Sequence, residues 1–167
     1  MKTLILARHA KTEQIGFMSS KSDFERELLP RGYSDSILVA ESMKSKRIKP
    51  NLLITSKACR AEQTTERFAN NLGIEPSNIV HEQFLYDGYT TSQLIDYLAQ
   101  YDDHHETIMI IGHNPEIAMM AINFTDSDYL HFPTTGTISI SFNTDKWSEI
   151  NAREGKIEWF VSPKMLK

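Results

Sequence analysis

Apolar and polar positions follow two rhythms along this chain. Thr3 to Ala7, Leu52 to Thr55 and Thr107 to Ile111 are short, nearly unbroken apolar runs. Runs of that kind predict strands buried on both faces, as in a parallel sheet. Ile79–Val80 is a weaker strand signal, Thr137 to Phe142 alternates apolar with polar, and Lys156 to Val161 predicts a last strand that forms a hairpin with it. Helical spacing fills the intervals. Pro30 to Arg47 predicts a helix with Ile37, Leu38, Ala40 and Met43 as its apolar stripe, and Pro50 follows its end. Ala58 to Leu72 predicts a second, stopped by Gly73. Thr91 to Tyr101 predicts a third, with Leu94, Ile95 and Leu98 facing the core. A fourth should run from Pro115 to about Phe124, with Asn114 as N-cap and Pro115 in the first position. Residues 10–29 are polar and read as an excursion loop.

Strand and helix signals alternate, which predicts an α/β fold: a mostly parallel central sheet with helices on both faces. No repeat or linker divides residues 1–167, so one domain is expected, long enough to bury its own core. The formal net charge of -4 argues against non-specific nucleic-acid binding. It leaves room for an anion site, because a few arginines focus a local positive field inside an acidic protein. No apolar stretch approaches a membrane span or a signal-peptide core. With Cys59 as the single cysteine there is no internal disulfide or cysteine metal cluster. The expectation is a cytoplasmic protein with no membrane partner.

The candidate chemistry sits where three strands end. In open α/β sheets, ligands bind beyond the carboxyl ends of the strands. The first strand ends in Arg8-His9. The second ends in Thr55-Ser56, with Arg60 in the next helix's first turn. The strand near residue 110 ends in Gly112-His113. If these strands are parallel neighbours, two imidazoles and two guanidiniums meet, beside the first amides of the helix after His113. Guanidiniums donate in pairs to phosphate oxygens, and a helix start is itself an anion site.

These residues carry a resemblance. Arg8-His9-Ala10-Lys11-Thr12 resembles the Arg-His-Gly-x-Thr signature of the histidine phosphatase superfamily, which includes the cofactor-dependent phosphoglycerate mutases, with Ala10 in place of the glycine. Thr55-Ser56-x-x-x-Arg60-Ala61-x-Gln63-Thr64 resembles the second signature, and Gly112-His113-Asn114 the third. Asp23 to Gly32 resembles the Asp-x-x-Arg-Pro-Leu-x-x-x-Gly segment of the SixA-type phosphohistidine phosphatases, with Glu27 in place of its proline. The resemblance implies a three-layer, phosphoglycerate mutase-like fold. It implies a phosphatase with His9 as nucleophile, passing through a phosphohistidine, and Arg8, Arg60 and His113 holding the phosphoryl oxygens. It adds Thr12, Asp23 and Arg26 as phosphate- or substrate-binding residues. For the general acid it points to Asp87 in Leu85-Tyr86-Asp87, with Glu82 second. It implies no metal and no cofactor. The short chain leaves little material for a lid, which suits phosphohistidine displayed on a protein surface.

The expected partner is therefore a phosphorylated protein, with a phosphate ion in the site, and the expected state is a monomer. Two other readings stay open: a small-molecule phosphomonoesterase or mutase using the same residues, and a phosphate-binding module without catalysis. Asp102-Asp103-His104-His105-Glu106 superficially resembles a metal cluster, but it precedes its strand and so belongs to the other end of the sheet. Asp126-Ser127-Asp128 is followed by Tyr129 and Leu130, and lacks the threonine and incoming strand of an aspartate phosphatase.

Overall fold

A computed structural model describes residues 1–16, 19–127 and 131–167. Asp128 to Leu130, part of the rejected aspartate-phosphatase pattern, and two residues of the 10–29 excursion lie outside that range. Among the described residues six strands form one sheet: β1 (Lys2–Arg8), β2 (Leu52–Ser56), β3 (Ile79–Glu82), β4 (Thr107–Gly112), β5 (Thr137–Phe142) and β6 (Lys156–Val161). Their order is β3-β2-β4-β1-β5-β6. The pairings β2–β3, β2–β4 and β1–β4 are parallel, whereas β5 runs antiparallel to both β1 and β6. The expected mostly parallel α/β sheet with a terminal hairpin is what forms.

The helices are α1 (Pro30–Ser45), α2 (Cys59–Leu72), α3 (Phe84–Asp87), α4 (Thr91–Leu98), α5 (Glu116–Thr125) and α6 (Pro163–Leu166). They separate onto the two faces because side chains along a strand alternate in direction. Leu4 and Leu6 of β1 and Ile108 and Ile110 of β4 pack with Leu94 and Leu98 of α4 and Ile117 and Phe124 of α5. Their neighbours Ile5, Ala7, Met109 and Ile111 pack on the other side with Val39 and Met43 of α1 and Phe68 and Leu72 of α2. An unbroken apolar run thus feeds two cores at once, and three layers result. Ser139 and Ser141 of β5 are buried as well, because its polar positions also lie under cover.

Two local expectations are corrected. Ile37 is exposed and Leu38 half-buried, and α1 buries the expected Ala40 and Met43 together with Ser36 and Val39. That i, i+3, i+4, i+7 set is the stripe a 3.6-residue period allows, and Ile37 falls off it. The buried Asp35 carboxylate on the same helix is met by Lys167 Nζ at 2.9 Å and Arg31 Nε at 3.4 Å. Asn114 does not cap α5. The Asn114–Pro115 peptide is cis, Pro115 stands at the cap, and Asn114 Nδ2 donates to the Phe132 carbonyl at 2.9 Å. The Ile117 amide closes back on the His113 carbonyl at 2.9 Å, so α5 offers fewer free amides to an anion than expected.

The Gly73 stop is as read: it takes φ 69°, a left-handed cap that costs glycine little. Gly32 is required for a different reason. A Cβ there would lie 2.2 Å from the Lys11 carbonyl oxygen, where the start of α1 crosses the strand-like Lys11–Thr12 segment. Backbone cannot give way as a flexible side chain does. Gly32→Ala is expected to lower unfolding stability by about 3 kcal/mol, the upper end of the usual overpacking cost, read from the denaturant midpoint.

Candidate active site

The parallel order β2-β4-β1 brings three strand ends to one edge. Arg8 pairs in register with Gly112, and Thr55 with Ile111. The His9 amide continues the ladder to the Gly112 carbonyl at 3.0 Å. The residues just past those ends, His9 and His113, place their ring centroids 5.2 Å apart, and both are buried. Arg60 enters from the first turn of α2 and is also buried.

His9 Nδ1 lies 2.8 Å from the Ala10 carbonyl, which can only accept, so Nδ1 carries the hydrogen and Nε2 keeps its lone pair. Arg60 Nε donates to that Nε2 at 3.3 Å. Burial, with His113, Arg60 and Arg8 adding to it against the Ala10 bond, pushes the His9 pKa down to about 3. Burial and the nearby Arg60 push His113 down to about 4. Both imidazoles are therefore neutral at neutral pH.

The His113 tautomer follows from Ser56. Its hydroxyl accepts the Ala58 amide at 3.1 Å and lies 2.8 Å from His113 Nε2. Donating its own hydrogen to Nε2 satisfies both contacts and leaves the hydrogen of His113 on Nδ1, which is buried without a partner among the described residues. Arg8 Nε is likewise unpartnered there, while its Nη1 donates to the Phe132 carbonyl at 3.2 Å. Burial first, then Arg26 and Arg60, lowers the Arg8 pKa, the signature of three guanidiniums sharing one space.

The excursion loop supplies the outer wall. It is pinned by the Thr12–Leu28 bridge and by the Leu28 amide donating to Gln63 Oε1 at 2.8 Å. Thr64 accepts the Ala10 amide at 3.0 Å and donates to the Arg60 carbonyl at 2.8 Å. Gln63 and Thr64 of the second motif are thus fasteners between the loops of β1 and α2. A 3-10 turn at Asp23–Glu25 then lies against α2. Arg60 Nη1 donates to the Asp23 carbonyl at 2.7 Å and Nη2 to Asp23 Oδ2 at 3.1 Å. Arg26 Nε meets Asp23 Oδ1 at 3.0 Å, and Arg26 Nη1 donates to Thr12 Oγ1 at 3.3 Å. Thr12 touches Arg26 rather than the imidazoles. Partial burial works to raise the Asp23 pKa, but the Tyr86 hydroxyl, Arg60 and Arg26 hold it below its ordinary value.

The expected acids stand apart from this cluster. Asp87 is exposed and accepts from Gln83 Nε2 at 3.2 Å. Glu82 lies against the Tyr97 hydroxyl. The residue of that segment that reaches the site is Tyr86. Its hydroxyl donates to Asp23 Oδ2 at 2.8 Å, and its ring sits 5.6 Å from that of His113. In the single turn of α3, adjacent side chains diverge by about 100°, so Tyr86 and Asp87 cannot both point inward. The acidic and histidine run at 102–106 sits at the opposite end of the sheet, where Lys2 Nζ donates to the Asp103 and His105 carbonyls.

With both imidazole pKa values far below the free value near 6.5, neither ring should titrate between about pH 5.5 and 8. Heteronuclear NMR of labelled imidazoles should show both as fixed neutral tautomers across that range. The same shifts remove stability on acidification. The unfolded chain takes up two protons as pH falls through about 6.5, and the folded one does so only near 4 and 3.

Residues 4–84 match the family model of the histidine phosphatase superfamily (branch 1). That match supports the resemblance carried by the first two motifs; His113 lies beyond it. No curated protein sequence matches the chain. Among solved structures, the protein histidine phosphatase SixA complexed with tungstate superposes with TM-score 0.83 at 23% identity, covering 99% of each chain. A putative phosphohistidine phosphatase SixA from Agrobacterium tumefaciens gives 0.80 at 24%, covering 97% of this chain and 99% of that one. Phosphoserine phosphatase from Entamoeba histolytica, in complex with 3-phosphoglyceric acid, gives 0.68 at 15% over the whole of both chains. The fold is the phosphoglycerate mutase-like α/β sandwich.

Proposed function

We propose that this chain, whose first half matches the histidine phosphatase superfamily, is a metal-independent phosphatase that removes phosphate from phosphohistidine on a protein, with His9 as nucleophile. One observation carries the proposal: a buried, neutral imidazole whose free nitrogen faces Arg60 Nε at 3.3 Å, with a second neutral imidazole beside it. A phosphoryl group entering here displaces the Arg60–His9 contact and takes the guanidinium for its own oxygens. His9 Nε2 attacks phosphorus in line, and the bond to the leaving group breaks with its electron pair. Water then attacks the phosphorus on His9 and releases phosphate. Arg8, Arg60 and His113 Nδ1 hold the equatorial oxygens. Phosphoryl transfer needs positioning and charge stabilisation above all, and these donors supply both.

The leaving group distinguishes the substrates. An alkoxide needs a proton from an acid. Asp87 and Glu82 are engaged elsewhere, and Asp23 is held ionised. A histidine leaving group needs no enzyme acid once its second ring nitrogen is protonated. This supports phosphohistidine over sugar or serine phosphates, the substrates of the esterase reading. Purified protein in EDTA should dephosphorylate a phosphohistidine-bearing protein at higher kcat/KM than p-nitrophenyl phosphate or 3-phosphoglycerate. Efficient turnover of the small esters alone would overturn the substrate, and loss of all activity in EDTA would overturn the metal-independence.

A further inference from the structure

Asp23 is a carboxylate at the mouth of a pocket built for an anion, which a plain phosphate site would exclude. It repels the phosphoryl group, and Arg60 can be satisfied by the phosphoryl oxygens instead. Its position explains its presence. The Arg60 guanidinium faces His9 with its Nε edge and Asp23 with both Nη nitrogens. Asp23 therefore lies beyond Arg60 from the nucleophile, on the exposed side of the cluster from which a protein-borne substrate has to enter. A carboxylate accepts about four hydrogen bonds. Two are used here, both at Oδ2, by Arg60 and Tyr86, while Arg26 Nε stands 3.0 Å from Oδ1 as an ion pair. The side chain is 53% exposed, so the carboxylate keeps acceptor capacity, at Oδ1 above all, for a donor carried by the substrate.

Resting on the phosphohistidine reading above, we propose that Asp23 is a specificity-determining residue that accepts a hydrogen bond from the second ring N–H of the substrate's N-phosphoimidazolium. Phosphohistidine can lose its phosphoryl group as neutral imidazole only when that far nitrogen is protonated. His9 Nε2 forms its bond to phosphorus as the substrate N–P bond breaks. The electron pair goes to the leaving nitrogen, and the proton stays on the far one. Asp23 favours the protonated form, as a carboxylate does for a catalytic imidazole. An O-phosphomonoester has no N–H to offer and meets only the repulsion. The charged groups around Asp23 are Arg26 on its own loop and Arg60 on α2, with the neutral, titratable Tyr86 on α3 and His113 behind them. None of them replaces the acceptor.

The test compares kcat/KM for a phosphohistidine peptide and for p-nitrophenyl phosphate in wild type, Asp23→Asn and Asp23→Glu, with thermal melts to confirm folding. Asp23→Asn should lower the phosphohistidine-to-ester ratio by about 10-fold or more, the scale of one charge-assisted hydrogen bond. Its phosphohistidine activity should also fall off at lower pH than in wild type, as the substrate ring loses its proton more readily. Asp23→Glu should restore part of the ratio. Equal losses on both substrates, with an unmoved pH profile, would reduce Asp23 to a prop for Arg60 and overturn the inference while leaving the phosphohistidine reading intact. A wild type that turns over esters but no phosphohistidine would overturn both.

Discussion

His9→Ala is expected to abolish hydrolysis, with kcat falling at least ten-thousand-fold, the usual order for loss of a covalent nucleophile. The loss belongs to chemistry rather than to binding. Arg8 and His113 come from separate strand ends and Arg60 from the first turn of α2, so they keep their places when one imidazole is shortened. The variant should therefore still bind orthophosphate or tungstate within a few-fold of wild type, measured by calorimetry. It should also fail to take up radiolabelled phosphate from substrate, whereas wild type quenched during turnover should carry an acid-labile label. Retained turnover in the alanine variant would remove His9 from the reaction.

Arg60→Ala should have the second largest effect, about a thousand-fold in kcat/KM. Its guanidinium is the donor closest to the nucleophilic nitrogen, and it also anchors the Asp23 turn through two contacts. Arg60→Lys tests which property matters. It keeps the charge but loses the planar fork, so it should recover only part of the activity, remaining about 10-fold or more below wild type. Full recovery by lysine would mean that charge alone is needed and that the fork geometry is incidental.

The sheet and the inner cluster were readable in the sequence for physical reasons. Ile108 to Ile111 is apolar at every position because both faces are covered, and such runs have few other interpretations. His9, Arg60 and His113 stand immediately beyond strand ends or in a helix's first turn, so once the strands are parallel neighbours their meeting is forced. The rim was harder. The resemblance points to Asp87 through its place in Leu85-Tyr86-Asp87, yet a four-residue turn decides by direction which side chain faces inward, and Tyr86 is the one that reaches Asp23. Nothing in the periodicity marks a helix that short. The Phe132 carbonyl, which receives both Arg8 and Asn114, acts through its backbone and leaves no trace in residue identity. Ile37 falls outside because the stripe that α1 buries is the Ser36, Val39, Ala40 and Met43 set, and the residue after Ser36 is turned about 100° away from it.

The reversed direction of β5 has a consequence of its own. A strand lying antiparallel to β1 must begin where β1 finishes, so the polypeptide has to travel back to the reactive end before it can start. On arrival it passes behind the nucleophile: the Thr135 amide donates to the Arg8 and His9 carbonyls at 3.1 and 3.0 Å, and Arg8 in turn donates its amide to the Gly136 carbonyl at 3.0 Å. A path imposed by connectivity thereby becomes the back wall of the reaction chamber.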